Sequence, residues 1–442
     1  MLFSRADLKR LLIPLLLEQL LVVLVGMVDT VMVASCGETA VSGVSLVDSI
    51  NVLLISAFSA LATGGSVLTS QFLGKKDSQR AGQSAKMLFY VILLVSITVM
   101  TLCLVFGHWL LRLIFGAIEP EVMAAAQTYF LLSALSYPFL AMYNASCALL
   151  RSMGNAKATL TTSALMNLIN ICGNALLIYV FDLGVAGAGI ATLACRIVGA
   201  LMTQHALRDP HSLIPCPVLH RFEWHGGLVK KILAVGLPNG FENSLFQLGK
   251  LVLVRMIATF GTVSIAANAV GNTFGTFQVL PGNAIGLAMI TVVGQCVGAK
   301  EFDQARHYVK RLMQLTYATM GPLNIVMLLF VNVLTIPFNL SAETAELARW
   351  IIIIHGVGSV FLWPLSFVLP NALRAAGDAK FTMVVSMFSM VAFRVVFGVL
   401  LGASAGMGVI GVWIAMQIDW VFRITCFIIR WQGGKWQSKA LV

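Results

Sequence analysis

The sequence predicts an all-α polytopic membrane protein, with twelve transmembrane helices in two parallel six-helix repeats around a central cleft. Three observations predict it: apolar runs long enough to cross a bilayer, basic residues concentrated in alternate loops, and a repeat of about 224 residues. Of 442 residues, 59% are hydrophobic and 11% charged. Soluble domains carry about a quarter charged residues, and a water-exposed globule has no place for such an apolar excess. A bilayer has one, since roughly 20 apolar residues in a helix cross its hydrocarbon core.

Reading along the chain, candidate spans fall near 11–35, 46–73, 85–107, 125–150, 158–181, 184–206, 230–259, 266–297, 308–337, 347–373, 380–402 and 408–431. The first follows Arg5, Lys9 and Arg10 and reads as a span rather than a cleavable leader. Lys75, Lys76, Arg80 and Lys86 lie between helices 2 and 3, and Arg151 and Lys157 flank the loop after helix 4. Arg208, Arg221, Lys230 and Lys231 follow helix 6, Lys300, Arg306, Lys310 and Arg311 follow helix 8, and Arg374 and Lys380 follow helix 10. The opposite loops hold Arg112 and Arg349 among acids such as Glu38, Glu119, Asp182 and Glu343. Basic loops favour the cytoplasm, so a multi-pass protein of the cytoplasmic (inner) membrane with both termini cytoplasmic is expected.

This placement also explains the net charge of +11 without nucleic acid as a partner. The cysteines are scattered singly, which argues against a disulfide or zinc framework. No Walker loop, HExxH or GxSxG context appears, so neither an enzyme nor an ATP-driven motor is expected, and no cofactor.

The repeat is the stronger signal. Pro14 and Glu18 recur 224 positions later as Pro238 and Glu242, Gly37 as Gly261, and Gln71–Gly74 as Gln295–Gly298. Leu150–Lys157, with Arg151, Gly154 and Asn155, recurs as Leu373–Lys380, with Arg374, Gly377 and Asp378. Gly184 and Gly189 recur as Gly406 and Gly411. A unit of six helices preserves orientation, so the halves are parallel repeats: an amino-terminal lobe over 1–206, a linker over 207–228 containing Pro210, Pro215 and Pro217, and a carboxy-terminal lobe over 229–442. Two such lobes suit alternating access to a shared cleft.

Ionisable residues within the spans are costly and mark candidate sites. Asp29 in helix 1 must be protonated, paired or bound to a cation, so it reads as a proton or sodium site, with a buried packing acid as the plainer reading. Asn170 and Asn174 share one face of helix 5, and Thr192 in helix 6 adds a hydroxyl. Together they offer oxygens to a hard cation or serve as interhelical hydrogen-bond glue, with Asn167 nearby. Glu242 and its mate Glu18 each follow a helix-bending proline by four residues, which suits a polar pocket for a cationic substrate or a proton. Lys250 and Arg255 are the alternative, neutralising partners of Glu242, and snorkelling is the alternative for Glu18. Arg196 and Arg394 are expected to pair with acids or carbonyls, Arg394 with Asp419; Asp48 opens helix 2. Trp363, Phe367 and Phe274 are candidates for an aromatic cleft, against packing or lipid contact, and His355 reads as a satisfied buried histidine.

Taken together, Pro14, Val28–Asp29–Thr30, the Leu150–Arg151–x–x–Gly154–Asn155–x–Lys157 segment, the Asn170/Asn174 and Gly187–x–Gly189–x–Ala191–Thr192 patterns, and Phe241–Glu242–Asn243 after Pro238 resemble the multidrug and toxic compound extrusion (MATE) family over essentially the whole chain. The resemblance implies a secondary antiporter, acting as a monomer among membrane lipids, that exports small cationic or amphipathic organic compounds in exchange for H⁺ or Na⁺. It implies that Asp29, Asn170, Asn174 and Thr192 form the amino-lobe cation-coupling site, and the metal ligands if the ion is Na⁺. It matches Glu242 to the carboxy-lobe acid of the norfloxacin-exporter branch; with Glu18, its repeat mate, and Trp363, from the aromatic cleft, Glu242 is expected to bind substrate or a proton. Two positions depart from the family pattern: Asn174 stands where some members carry an acid, and Trp363 where the norfloxacin-exporter branch carries another. A flippase of lipid-linked precursors or a polysaccharide exporter of the same superfamily is the alternative, for which Arg196, Lys250, Arg255 and Arg394 would suit anionic headgroups.

Overall fold

The computed structural model describes residues 2–116, 119–209, 212–214 and 223–442. Among them there are no strands, and the chain runs through twelve helical rods. These are α1 (Arg5–Ala34), α2 (Glu38–Gly74), α3 (Ser78–Phe115), α4 (Pro120–Ser152), α5 (Ala156–Asn174, continued by a π-helical turn Ala175–Val180) and α6 (Gly184–Leu207). The second series comprises α7 (Gly226–Ala258), α8 (Thr262–Gly298), α9 (Phe302–Leu329), α10, α11 and α12 (Gly408–Gln432). Rod α10 is Ala342–Phe361, a π-helical turn Pro364–Val368 and Leu369–Ala375; α11 starts at Ala379–Ser389 and runs through π-helical turns to Ser404. The prolines and arginines of the expected linker at 210, 215, 217 and 221 lie outside the described residues.

Among the described residues, ten helices are long and apolar enough to cross a membrane. The other two rods, α4 and α7, are equally long at 33 residues each. Polar residues dilute them: Ser133, Ser136 and Asn144 in α4, and Lys230, Lys231, Glu242, Lys250 and Arg255 in α7. Large apolar side chains such as Val31, Leu94, Val105 and Leu329 point outward, as a lipid-facing surface requires.

The rods divide into two compact units, Ser4–Gly240 and Phe241–Val442, the latter taking in the first residues of the chain, so the division falls within α7. In the amino-terminal unit α4 packs against α2, α3 and α6, and α5 against α1 and α6. In the carboxy-terminal unit α8 packs against α9 and α10, and α12 packs along the π-helical stretches of α11. Phe3 joins this unit through its amide and carbonyl, which meet the Tyr308 hydroxyl at 2.9 and 2.7 Å.

Local chemistry repeats between units. Gly37 and Gly261 precede α2 and α8 with φ of 99° and 97°, a backbone region that side chains rarely enter. Lys76 and Lys300 close the same helices in the left-handed region, at φ 61° and 60°. Each lies in a tight helix-ending turn that satisfies the last carbonyls, Lys76 N on Leu73 O and Lys300 N on Val297 O, both at 3.0 Å. Asn155 caps α5 by accepting from Ala158 N at 3.2 Å. Its mate Asp378 does not cap α11; it takes two bonds from Arg430, at 2.7 and 3.2 Å.

Candidate functional site

Asp29 and Glu18 lie on the same helix, α1, and meet different chemistry. Asn174, at the end of regular helix in α5, donates from Nδ2 to Asp29 Oδ1 and, at 3.4 Å, to Asn170 Oδ1 one turn earlier. Three of the four residues expected at the cation site are therefore in one hydrogen-bonded chain. The Asn174 Oδ1 atom is buried and has no hydrogen-bond partner. A lone acceptor in such a place leaves a position for a proton-bearing group or a cation. Thr192 is set beside the Tyr129 hydroxyl instead, and Tyr129 also stands beside Asp48.

Arg196 in α6 is within electrostatic reach of both Asp29 and Asp48, and donates to Ser136 Oγ at 2.6 Å. Asp48 accepts from Asn51 Nδ2 at 3.1 Å, and Asn51 Oδ1 accepts from the Tyr137 hydroxyl at 2.9 Å. Two carboxylates and one guanidinium thus share a polar network across α1, α2, α4 and α6. Its balance of charge changes when either acid takes up a proton or cation.

Glu18, by contrast, is held. Arg151 Nη2 donates to Glu18 Oε1 at 2.6 Å, and Thr159 Oγ1 to Glu18 Oε2 at 2.7 Å. The carboxy-terminal unit repeats the arrangement residue for residue: Arg374 Nη2 to Glu242 Oε1 at 2.7 Å, and Thr382 Oγ1 to Glu242 Oε2 at 3.5 Å. Arg423 adds a second guanidinium 3.7 Å from Glu242 Oε1. The partners of Glu242 are Arg374, from the last turn of α10, and Arg423, from within α12, not Lys250 or Arg255. Arg151 and Arg374, counted above as loop charges, are thereby removed from the loops.

Glu242 also borders a cavity of about 710 Å³ inside the carboxy-terminal unit. Trp363 lines it, stacked on Phe367 with ring centroids 5.1 Å apart. Phe274 is not among the lining residues; it packs edge-on against Phe338 at 5.7 Å. Arg394 and Asp419 do pair, Nη1 to Oδ2 at 3.8 Å, and Asp419 also bonds to Ser389 Oγ. His355 is satisfied by Gln278 Oε1 and by Ser359 Oγ at 3.2 Å.

A single family description, MatE, matches the chain twice, over residues 14–176 and 238–400. The two matches begin and end 224 residues apart, the period of the repeat. The chain belongs to the MatE family.

This MatE protein is a membrane transporter and not an enzyme. It is 28% identical to the uncharacterized transporter YisQ of Bacillus subtilis, over 97% of this chain and 94% of that one. It is 24% identical to a probable multidrug resistance protein NorM of Thermotoga maritima, over 99% and 94% respectively. Its fold matches that of a MOP superfamily transporter from Pyrococcus furiosus, for which a reverse polarity of the binding pocket has been described, with a TM-score of 0.89, 20% identity and coverage of 97% and 96%.

Two features of the candidate site are not among the sequence expectations: Arg423, and the pairing of each buried glutamate with an arginine. Arg423 lies deep in α12 and has no repeat mate to draw attention to it. The pairing of Glu18 and Glu242 with Arg151 and Arg374 was readable, since both members recur at nearly one offset, as do Thr159 and Thr382.

Proposed function

We propose that this transporter is a secondary active antiporter of the cytoplasmic membrane that exports amphipathic organic compounds in exchange for H⁺ or Na⁺ by alternating access, with both termini cytoplasmic. The observation that carries the reading is the chain Asp29–Asn174–Asn170, with the unpartnered Asn174 Oδ1 beside a carboxylate in a span. Asp29 is the coupling group: a proton or Na⁺ binds its carboxylate, Asn174 and Asn170 supply amide oxygens, and Arg196 competes for the same charge. Thr192 acts one step removed, through Tyr129. Glu18 and Glu242, each fixed by an arginine and a threonine, fasten α1 to α4 and α5, and α7 to α10 and α11. An ion pair removed from water is strong only while both partners stay, which suits a fastening. The cation and the exported compound compete through the protein's two states, so each weakens the other's binding by the same factor.

The test is reconstitution. Proteoliposomes carrying either a pH gradient or a Na⁺ gradient are offered ethidium and 2-naphthoate in turn. The reading expects uphill movement of at least one probe under one of the gradients. Movement of neither probe under either gradient rejects it.

A further inference from the structure

We propose that the cavity of the carboxy-terminal unit binds an organic anion, a flat aromatic body bearing a carboxylate or sulfonate group, and that Lys250 and Arg394 hold that group. The proposal rests on the transporter reading and names the charge of what is carried.

The lining gives the sign. Lys250, Arg374, Arg394 and Arg423 all face the cavity, together with a single acid, Glu242. Glu242 is spent on Arg374 and Arg423, and Asp419, next to the cavity, on Arg394. Four cations thus stand against two carboxylates. Lys250 has no acidic partner within ion-pairing distance among the described residues; its Nζ lies 5.0 Å from the Phe246 ring centroid. A surplus of positive charge in a membrane protein's interior is costly unless water or a counter-anion meets it.

Arg394 gives the second, independent observation. Its side chain is 9% exposed, and its Nε and Nη1 atoms are buried without a hydrogen-bond partner. Its contact with Asp419 is a long 3.8 Å. A guanidinium in the wall of a cavity with donors left unfilled carries an unmet demand for hydrogen-bond acceptors. Its Cζ lies 5.1 Å from the same Phe246 centroid, so Lys250 and Arg394 bracket one ring.

The remaining wall gives the body of the ligand. Trp363 stacks on Phe367, and Trp420 meets Phe367 edge-on at 5.7 Å. Aromatic rings in the lining suit a planar aromatic ligand, and the volume lies in the usual range for small-molecule sites. An organic cation entering here would displace no charge and would be repelled by Lys250.

The test is equilibrium binding to the full-length protein in phosphatidylcholine nanodiscs, with radiolabelled 2-naphthoate and 2-naphthylmethylammonium, which share a ring system and differ in charge. Naphthoate is expected to bind saturably and at least tenfold tighter than the ammonium compound. Lys250→Gln is expected to weaken naphthoate about tenfold, Lys250→Arg to retain it, and Lys250→Glu to reverse the preference. Equal or tighter binding of the ammonium compound to the unaltered protein, a comparison that needs no variant, overturns the proposal. So does wild-type naphthoate affinity in folded Lys250→Gln. Discs containing phosphatidylglycerol separate two sources of the anion. Competition that scales with its content assigns the group to a lipid phosphate, unchanged binding assigns it to a free organic anion, and either upholds the charge class. Nanodiscs sustain no gradient, so a failure of coupling leaves this readout intact, and a failure here leaves the gradient-driven assay standing.

Discussion

Arg374 donates to Glu242 across 2.7 Å in the carboxy-terminal unit, as its repeat mate Arg151 donates to Glu18 across 2.6 Å in the other. The chain holds a buried ion pair in both copies of a duplicated plan, while other positions differ between the copies. Those differences include chemistry: the amino-terminal unit has Asp29, Asn170 and Asn174, and the carboxy-terminal unit has a cavity with basic walls.

If the pair is a fastening, removing one partner costs more than removing both. Arg374→Ala leaves a buried carboxylate whose remaining ion-pair partner is the more distant Arg423, and is expected to cost about 3–5 kcal/mol. Glu242→Gln with Arg374→Met and Arg423→Met, which removes every charge of the cluster, is expected to cost less than Arg374→Ala alone. Thermal unfolding of the purified variants in detergent, read as midpoint shifts, checks both.

Helix α2 approaches the first half of α7 at Gly64, where an added Cβ would fall 2.4 Å from the Ile232 carbonyl oxygen. Backbone cannot move aside as a flexible side chain can. Gly64→Val is expected to cost at least about 1–3 kcal/mol, as overpacking does, and to lower the yield of folded protein. Gly26→Ala, with nothing within 4 Å of its new methyl group, is the control and is expected to be neutral or slightly stabilising. Size-exclusion profiles and unfolding midpoints of the two variants distinguish them.

The divergence between Asn155 and Asp378 predicts unequal costs at equivalent positions. Asn155→Ala loses a helix cap and is expected to cost about 1 kcal/mol. Arg430→Ala deprives the buried Asp378 of a two-bond partner and is expected to cost about 3–5 kcal/mol. The same unfolding assay, on both single variants, gives the ratio.

The Asn174 amide is expected to tune the affinity of the coupling ion. Asn174→Ala removes one donor to Asp29 and one oxygen near it. A hydrogen bond to a charged group contributes about 1.5–3 kcal/mol, so the half-saturating cation concentration for transport is expected to change by about tenfold or more. Transport rates over a series of cation concentrations measure it.

Much of this was legible in the sequence because a duplicated membrane protein writes its plan twice. Hydropathy marks all twelve spans, α4 and α7 included despite their polar residues, because apolar runs persist between those residues. Asn170 and Asn174 were visible as a pair from helical spacing alone, but their meeting with Asp29, 145 residues before Asn174, depends on how α1 packs on α5. The role of Arg151 and Arg374 was hidden by their position at helix ends, where a basic residue ordinarily belongs to the loop. Lys250 was visible as an intramembrane cation, but its lack of an acid depends on Glu242 meeting Arg374 and Arg423 and on Asp419 meeting Arg394. The π-helical turns of α5, α10 and α11 left no clear mark, since a single extra residue per turn changes neither composition nor hydropathy.

If Asp29 couples transport to a cation gradient, its loss is read in gradient-driven transport by proteoliposomes containing Asp29→Asn at the same protein density as the unaltered chain. The account predicts that the variant folds and inserts yet moves no probe uphill under either a pH or a Na⁺ gradient. Uphill transport at the unaltered rate would contradict it.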